Sequence, residues 1–148
     1  MKKTKKIIVI VFLGILLISL GLYIAGNLYY TDARIYEENW KISLPEGLKK
    51  QYGAKEDDPR GKVCRYTIFV LKEKDAPFLK GASSQKNILM QNDVIEILRI
   101  LRVDKQRYPN FSHDYKWKIL YRDSNNIDKL YIIYDMESSF VYFLQDLL

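Results

Sequence analysis

Apolar and polar residues are distributed differently in two parts of this chain, and each part predicts a different structure. The first part is an unbroken apolar run over residues 7–26. Lys2, Lys3, Lys5 and Lys6 precede it, and no acidic residue occurs before Asp32. At about 1.5 Å per residue, about twenty apolar residues reach roughly 30 Å, the hydrocarbon thickness of a bilayer. The pattern predicts a basic cytoplasmic tail over 1–6, a membrane anchor over 7–26 and a juxtamembrane stem over 27–39.

The second part, 40–148, changes period several times. Residues 40–44 alternate apolar and polar up to Pro45 and predict a first strand. Residues 45–52 predict a turn or a single helical turn, and 53–61 a polar loop around Asp57, Asp58 and Arg60. Residues 62–72 are rich in β-branched and aromatic side chains. Tyr66, Ile68 and Val70 share one face there and Thr67, Phe69 and Leu71 the other, which predicts a central strand. Over 84–104, Ile88, Val94, Ile95, Ile97, Leu98 and Leu101 recur at helical spacing, and Asp93 with Glu96 offers a cap for a late start. Beyond Pro109 the period returns to two, and 115–122, 129–135 and 140–145 predict a three-stranded meander with tight turns. The predicted fold is α+β: an N-terminal transmembrane helix, then an antiparallel sheet of about five strands packed with one helix.

A removable secretion signal is the alternative to the anchor. Its apolar core would be shorter, and it would end in a small-x-small cleavage site. A cut after Gly26 places Ile24 at minus three, and a cut after Ala25 places Tyr23 there. Tyr23, Tyr29 and Tyr30 instead suit the aromatic belt at a membrane interface. Gly14, Gly21 and Ala25 fall on one face of the predicted helix, where small residues let two membrane helices approach. The plainer reading is that such residues are common in these helices.

Charge narrows the partners. The net charge is +6, but four of the 24 Lys and Arg precede the anchor, leaving 20 against 18 acidic residues. A nearly neutral domain has no electrostatic footprint for nucleic acid. A single cysteine, Cys64, excludes an internal disulfide. An exported domain held by its core alone fits a bacterial envelope.

Catalytic constellations are scarce. His113 is the only histidine, so no multi-histidine metal site exists, and a Cys-His nucleophile pair would need Cys64 beside it. Ser83-Ser84-Gln85-Lys86 matches Ser-x-x-Lys, but the companion Ser-Asp-Asn and Lys-Thr-Gly elements are missing, and a loop is the simpler reading. The acids at 56–58 and 123–128 read as turn chemistry rather than calcium loops. No cofactor is expected. What remains is aromatic surface: twelve tyrosines and two tryptophans. Tyr115, Trp117, Ile119 and Tyr121 form a row that is either the covered face of a sheet or a binding patch. The opposite row, Lys116, Lys118 and Arg122, is a solvated face or a contact for anionic membrane or wall polymer. The expected role is a binding or accessory module outside the membrane, with an envelope protein partner and no nucleic acid. A small hydrolase, or a self-assembling structural protein dimerising through the anchor, is the alternative.

Overall fold

The structure is a computed structural model that describes residues 2–29, 31–46, 48–57, 62–73, 75–122, 124–125 and 127–147, without the side chains of 2–10, 25–29 and 57. It divides into two compact units, Met1–Ile35 and Tyr36–Leu148.

The first unit is the helix α1 (Lys2–Tyr29) and the start of α2 (Asp32–Trp40). From Val11 to Ile24 every large apolar side chain of α1 is half or more exposed. The Ser19 hydroxyl donates back to the Leu16 carbonyl at 2.9 Å, which satisfies that polar group within the helix. The described residues do not show the expected membrane span. Among the described residues no helix is long and apolar enough to cross a membrane. The described side chains of α1, 11–24, cover only about 20 Å of helix at about 1.5 Å each. Gly14 and Gly21 have open space where a Cβ would stand. The Ala25 side chain lies outside the described residues.

The second unit is a five-stranded antiparallel sheet, in spatial order β1-β2-β5-β4-β3. Its strands are β1 (Lys49–Asp57), β2 (Val63–Val70), β3 (Tyr115–Tyr121), β4 (Lys129–Asp135) and β5 (Phe140–Leu147). The last three strands form the predicted meander, and β5 returns to pair with β2. Helix α3 (Ile88–Ile100) covers one face, burying Met90, Val94, Ile97 and Leu98 against Tyr66, Tyr131, Ile133, Tyr142 and Leu144.

Local chemistry sets the helix ends. The Asn87 carboxamide oxygen accepts from the Leu89 and Met90 amides at 3.0 and 3.1 Å, so the cap is Asn87 rather than the Asp93–Glu96 pair. At the other end Arg102 takes φ 53°, its amide bonds the Arg99 carbonyl, and the Val103 amide bonds the Leu98 carbonyl. That Schellman closure tucks Val103 into the core beside Leu98.

Three expectations need correction at the start of the domain. Residues 40–44 are not a strand: Trp40 ends α2, Lys41 turns the chain with φ 50°, and 42–45 are irregular. The first strand is β1, which occupies the second half of the predicted turn and the first part of the predicted loop. And the sheet has a second cover. Tyr36 and Trp40, one helical turn apart on α2, pack on the face opposite α3, together with Leu44 and a 3₁₀ turn over Pro77–Leu79. The Tyr36 ring sits 4.9 Å from Phe143, and Phe78 lies 5.7 Å from it, centroid to centroid. The Trp40 indole Nε1 donates to the buried Gln145 at 2.9 Å. This explains why Phe69, Leu71, Ile132, Val141 and Phe143 can be buried although α3 lies on the other side.

Candidate functional site at the edge strand β3

Strand β3 forms one edge of the sheet, and its two faces carry the two rows singled out in the sequence. Along the aromatic row, burial falls from one end to the other. Tyr115 is buried, and its hydroxyl accepts from the Gln91 side-chain amide at 2.7 Å. Trp117 is half-buried, with its indole Nε1 donating to the Gln85 carbonyl at 2.7 Å. Tyr121 is 48% exposed. The row is core where α3 crosses it and surface beyond. Of the other residues expected to bind, Asp57 sits at the end of β1, its side chain undescribed, and Asp58 and Arg60 lie outside the described residues.

The open edge of β3 is blocked at its centre. Ser83 and Trp117 exchange both backbone hydrogen bonds at 2.8 Å, which leaves little room for another strand to add there. Ser83 therefore has a structural job, and its hydroxyl accepts from the Gln85 amide at 3.1 Å. Lys86 reaches instead to the Ser112 carbonyl at 3.4 Å. Nothing in this arrangement pairs Ser83 with Lys86 as nucleophile and base.

The other reactive groups are held apart. Cys64 opens β2 opposite Asp146, and its thiol donates to that carboxylate at 3.4 Å. Burial first, then the Asp146 charge, push its pKa up to about 12, so almost no thiolate forms near neutrality. His113 lies by Asp135, at the other end of the sheet. From Val141, beside Tyr134, to Asp146 is five residues of strand, about 16 Å. A Cys-His pair is thus excluded by geometry. Among the described residues no group of three or more His, Cys, Asp and Glu side chains is arranged to hold a metal.

His113 serves as a clasp between two turns. Its Nδ1–H donates to the buried Asp135 carboxylate at 2.8 Å; in the neutral ring Nε2 accepts from the Asn110 amide at 2.7 Å, and in the protonated ring it faces the Glu137 carboxylate at 3.6 Å. The other Asp135 oxygen accepts from the Glu137 and Ser138 amides at 2.9 and 3.1 Å, shaping the β4–β5 turn. The Asp135 hydrogen bond raises the His113 pKa above 6.5. Burial acts to raise the Asp135 pKa, but hydrogen bonds from His113 and Ser138 win and hold it below 3.8. With a raised histidine, the stabilisation is complete below 6.5 and lost as pH rises through the folded-state value. With a depressed carboxylate, it is present above 3.8 and lost as pH falls through the folded-state value. The clasp is therefore strongest in mildly acidic solution. Urea unfolding should give a higher midpoint at about pH 5 than at about pH 8, and His113→Ala should shrink that difference while leaving the Asp135 turn bonds in place.

On the far face of β3 the basic row divides. Arg122 is committed to the buried Asp128 at 2.8 Å, while Lys116 lines a cleft with the loop over 75–82. The His113–Asp135 pair and the proximity of Lys80 to Lys116 carry no sequence signal, because each joins segments far apart in the chain. The only local hint is Lys80 standing before Gly81, the one described glycine with positive φ, at 77°.

No protein family, no characterised protein and no solved structure matches this chain.

Proposed function

We propose that this chain is a single-pass membrane protein with a cytoplasmic N-terminus, displaying the sheet domain on the outer side as a binding or accessory module of the cell envelope. The observation that carries the reading is the exposed apolar side-chain surface of α1 from Val11 to Ile24. In water each such side chain forgoes about 1.5–3 kcal/mol of burial; in lipid the same surface is at home. The helix backbone, Lys2–Tyr29, continues on both sides of that stretch. Binding is favoured over catalysis because Cys64 is inert and distant from His113, and His113 is engaged at both nitrogens.

The contact surface in this reading is the emergent end of the aromatic row, Trp117 and Tyr121, since a half-buried ring offers apolar area without the entropy of a flexible chain. A photo-cross-linking amino acid at position 121 of the full chain, activated in intact membranes, tests it. The expected product is a stoichiometric adduct with one envelope protein. Adducts of the chain with itself alone would move the role to self-assembly, and no adduct would remove Tyr121 as the contact.

A further inference from the structure

Lysines crowd the corner where the loop over 75–82 passes beside β3. A cleft of about 390 Å³ opens there, lined by Asp75, Lys80 and Lys116 with Pro77, Leu79 and Gly81. Lys118 stands two residues further along the same face of β3, and burial holds its ammonium below the ordinary lysine range. Among the described residues none of these three lysines makes an ion pair, and Asp75 is the only carboxylate lining the cleft. A partly desolvated cation such as Lys118 is costly without a counter-charge, and an anion held nearby relieves that cost.

The corner is also rigid. The double Ser83–Trp117 backbone bridge staples the loop to β3. The Leu79, Lys80 and Ala82 amides are spent on the carbonyls of Ala76, Pro77 and Leu79. Those three amides are closed to a ligand, so the ammonium groups carry most of the recognition. Lysines bind phosphate as point charges that approach from separate directions, without the planar fork by which arginine matches carboxylates and phosphates alike.

We propose that this cleft binds a phosphate group, with Lys80 and Lys116 contacting its oxygens and Lys118 adding charge from the side. The site lies on the face of β3 opposite the aromatic row and does not depend on it. The phosphate belongs either to a soluble polymer or to a lipid headgroup, and the source is separable by experiment.

The full chain in phosphatidylcholine nanodiscs is acylated at its amines, and each lysine is read by mass spectrometry. One arm adds inorganic polyphosphate; the other replaces part of the lipid with phosphatidylglycerol. Acylation of Lys80 and Lys116 falls several-fold in at least one arm, while Lys105, on the exposed turn after α3, stays unchanged. A fall with polyphosphate alone identifies a soluble ligand, and a fall with phosphatidylglycerol alone a headgroup. Lys80→Gln, at an exposed position outside the core, weakens the response about tenfold, the loss expected for one charge-assisted contact. Unchanged acylation in both arms overturns the proposal. So does an equal fall at Lys105, or an unaltered response in Lys80→Gln, since either means diffuse attraction without a site.

Discussion

Tyr36→Ala is expected to destabilise the sheet domain by about 3–5 kcal/mol, as for a large aromatic residue removed from a core. The Tyr36 side chain is completely buried. Its ring meets Phe69 edge-on at 6.4 Å and Phe143 at 4.9 Å. Its hydroxyl bonds Thr67 at 3.0 Å and donates to the Phe143 carbonyl at 3.4 Å. Truncation leaves a cavity and takes a partner from Thr67, itself only 1% exposed. Tyr36→Phe keeps the packing and loses the hydroxyl, a cost of about 1–2 kcal/mol. The packing contribution is therefore the larger of the two. Urea unfolding of the full chain in detergent, followed by tryptophan fluorescence, measures both variants. Trp40 reports on α2 and Trp117 on β3, so chains with one tryptophan each separate local undocking from global unfolding. A change below about 1 kcal/mol for Tyr36→Ala would mean that α2 is not an integral part of the domain.

Placing two lysines in α1 should remove the chain from the membrane. A lysine near the centre of a membrane helix costs about 2.5–3.5 kcal/mol. Leu16→Lys with Leu17→Lys therefore costs about 5–7 kcal/mol, if the two add. Both positions sit in the middle of the exposed apolar stretch. Alkaline carbonate extraction of membranes should leave the parent chain in the pellet and release the double variant. Leu16→Ala with Leu17→Ala, which adds no charge, should stay in the pellet. A double lysine variant that resists extraction would contradict membrane anchoring by α1.

The legibility of this fold followed the strength of local periodicity. β3 and α3 were visible because their apolar residues keep one period, and β4 and β5 because they are short apolar runs bounded by turn residues. The first strand was misplaced because Trp40 and Leu44 mimic a strand's alternation while burying themselves from a helix end and an irregular segment. The true edge strand, β1, is mostly exposed, carries Lys49, Lys50, Lys55 and Glu56, and is irregular between Lys50 and Tyr52, so its alternation is broken. Apolar residues on both faces of β2 implied a central strand. They also required a cover on the second face, yet Tyr36 and Trp40 are too short a stripe to announce α2 as that cover. The burial gradient along Tyr115, Trp117 and Tyr121 depends on where α3 crosses the sheet, and the Lys80–Lys116 corner on the Ser83–Trp117 bridge. Both are products of tertiary packing, which local pattern does not encode.

The sidedness of the two ends tests the central proposal most directly. Cys64 is the sole native thiol, buried and protonated, so it gives little background with a maleimide. Ser124, exposed between β3 and β4, and Thr4, in the basic tail, can each be replaced by cysteine in turn. With a membrane-impermeant maleimide, the Ser124→Cys chain should be labelled in intact cells, and the Thr4→Cys chain only after permeabilisation. Labelling of Thr4→Cys with protection of Ser124→Cys in intact cells, or recovery of the parent chain in the soluble fraction, would contradict the account.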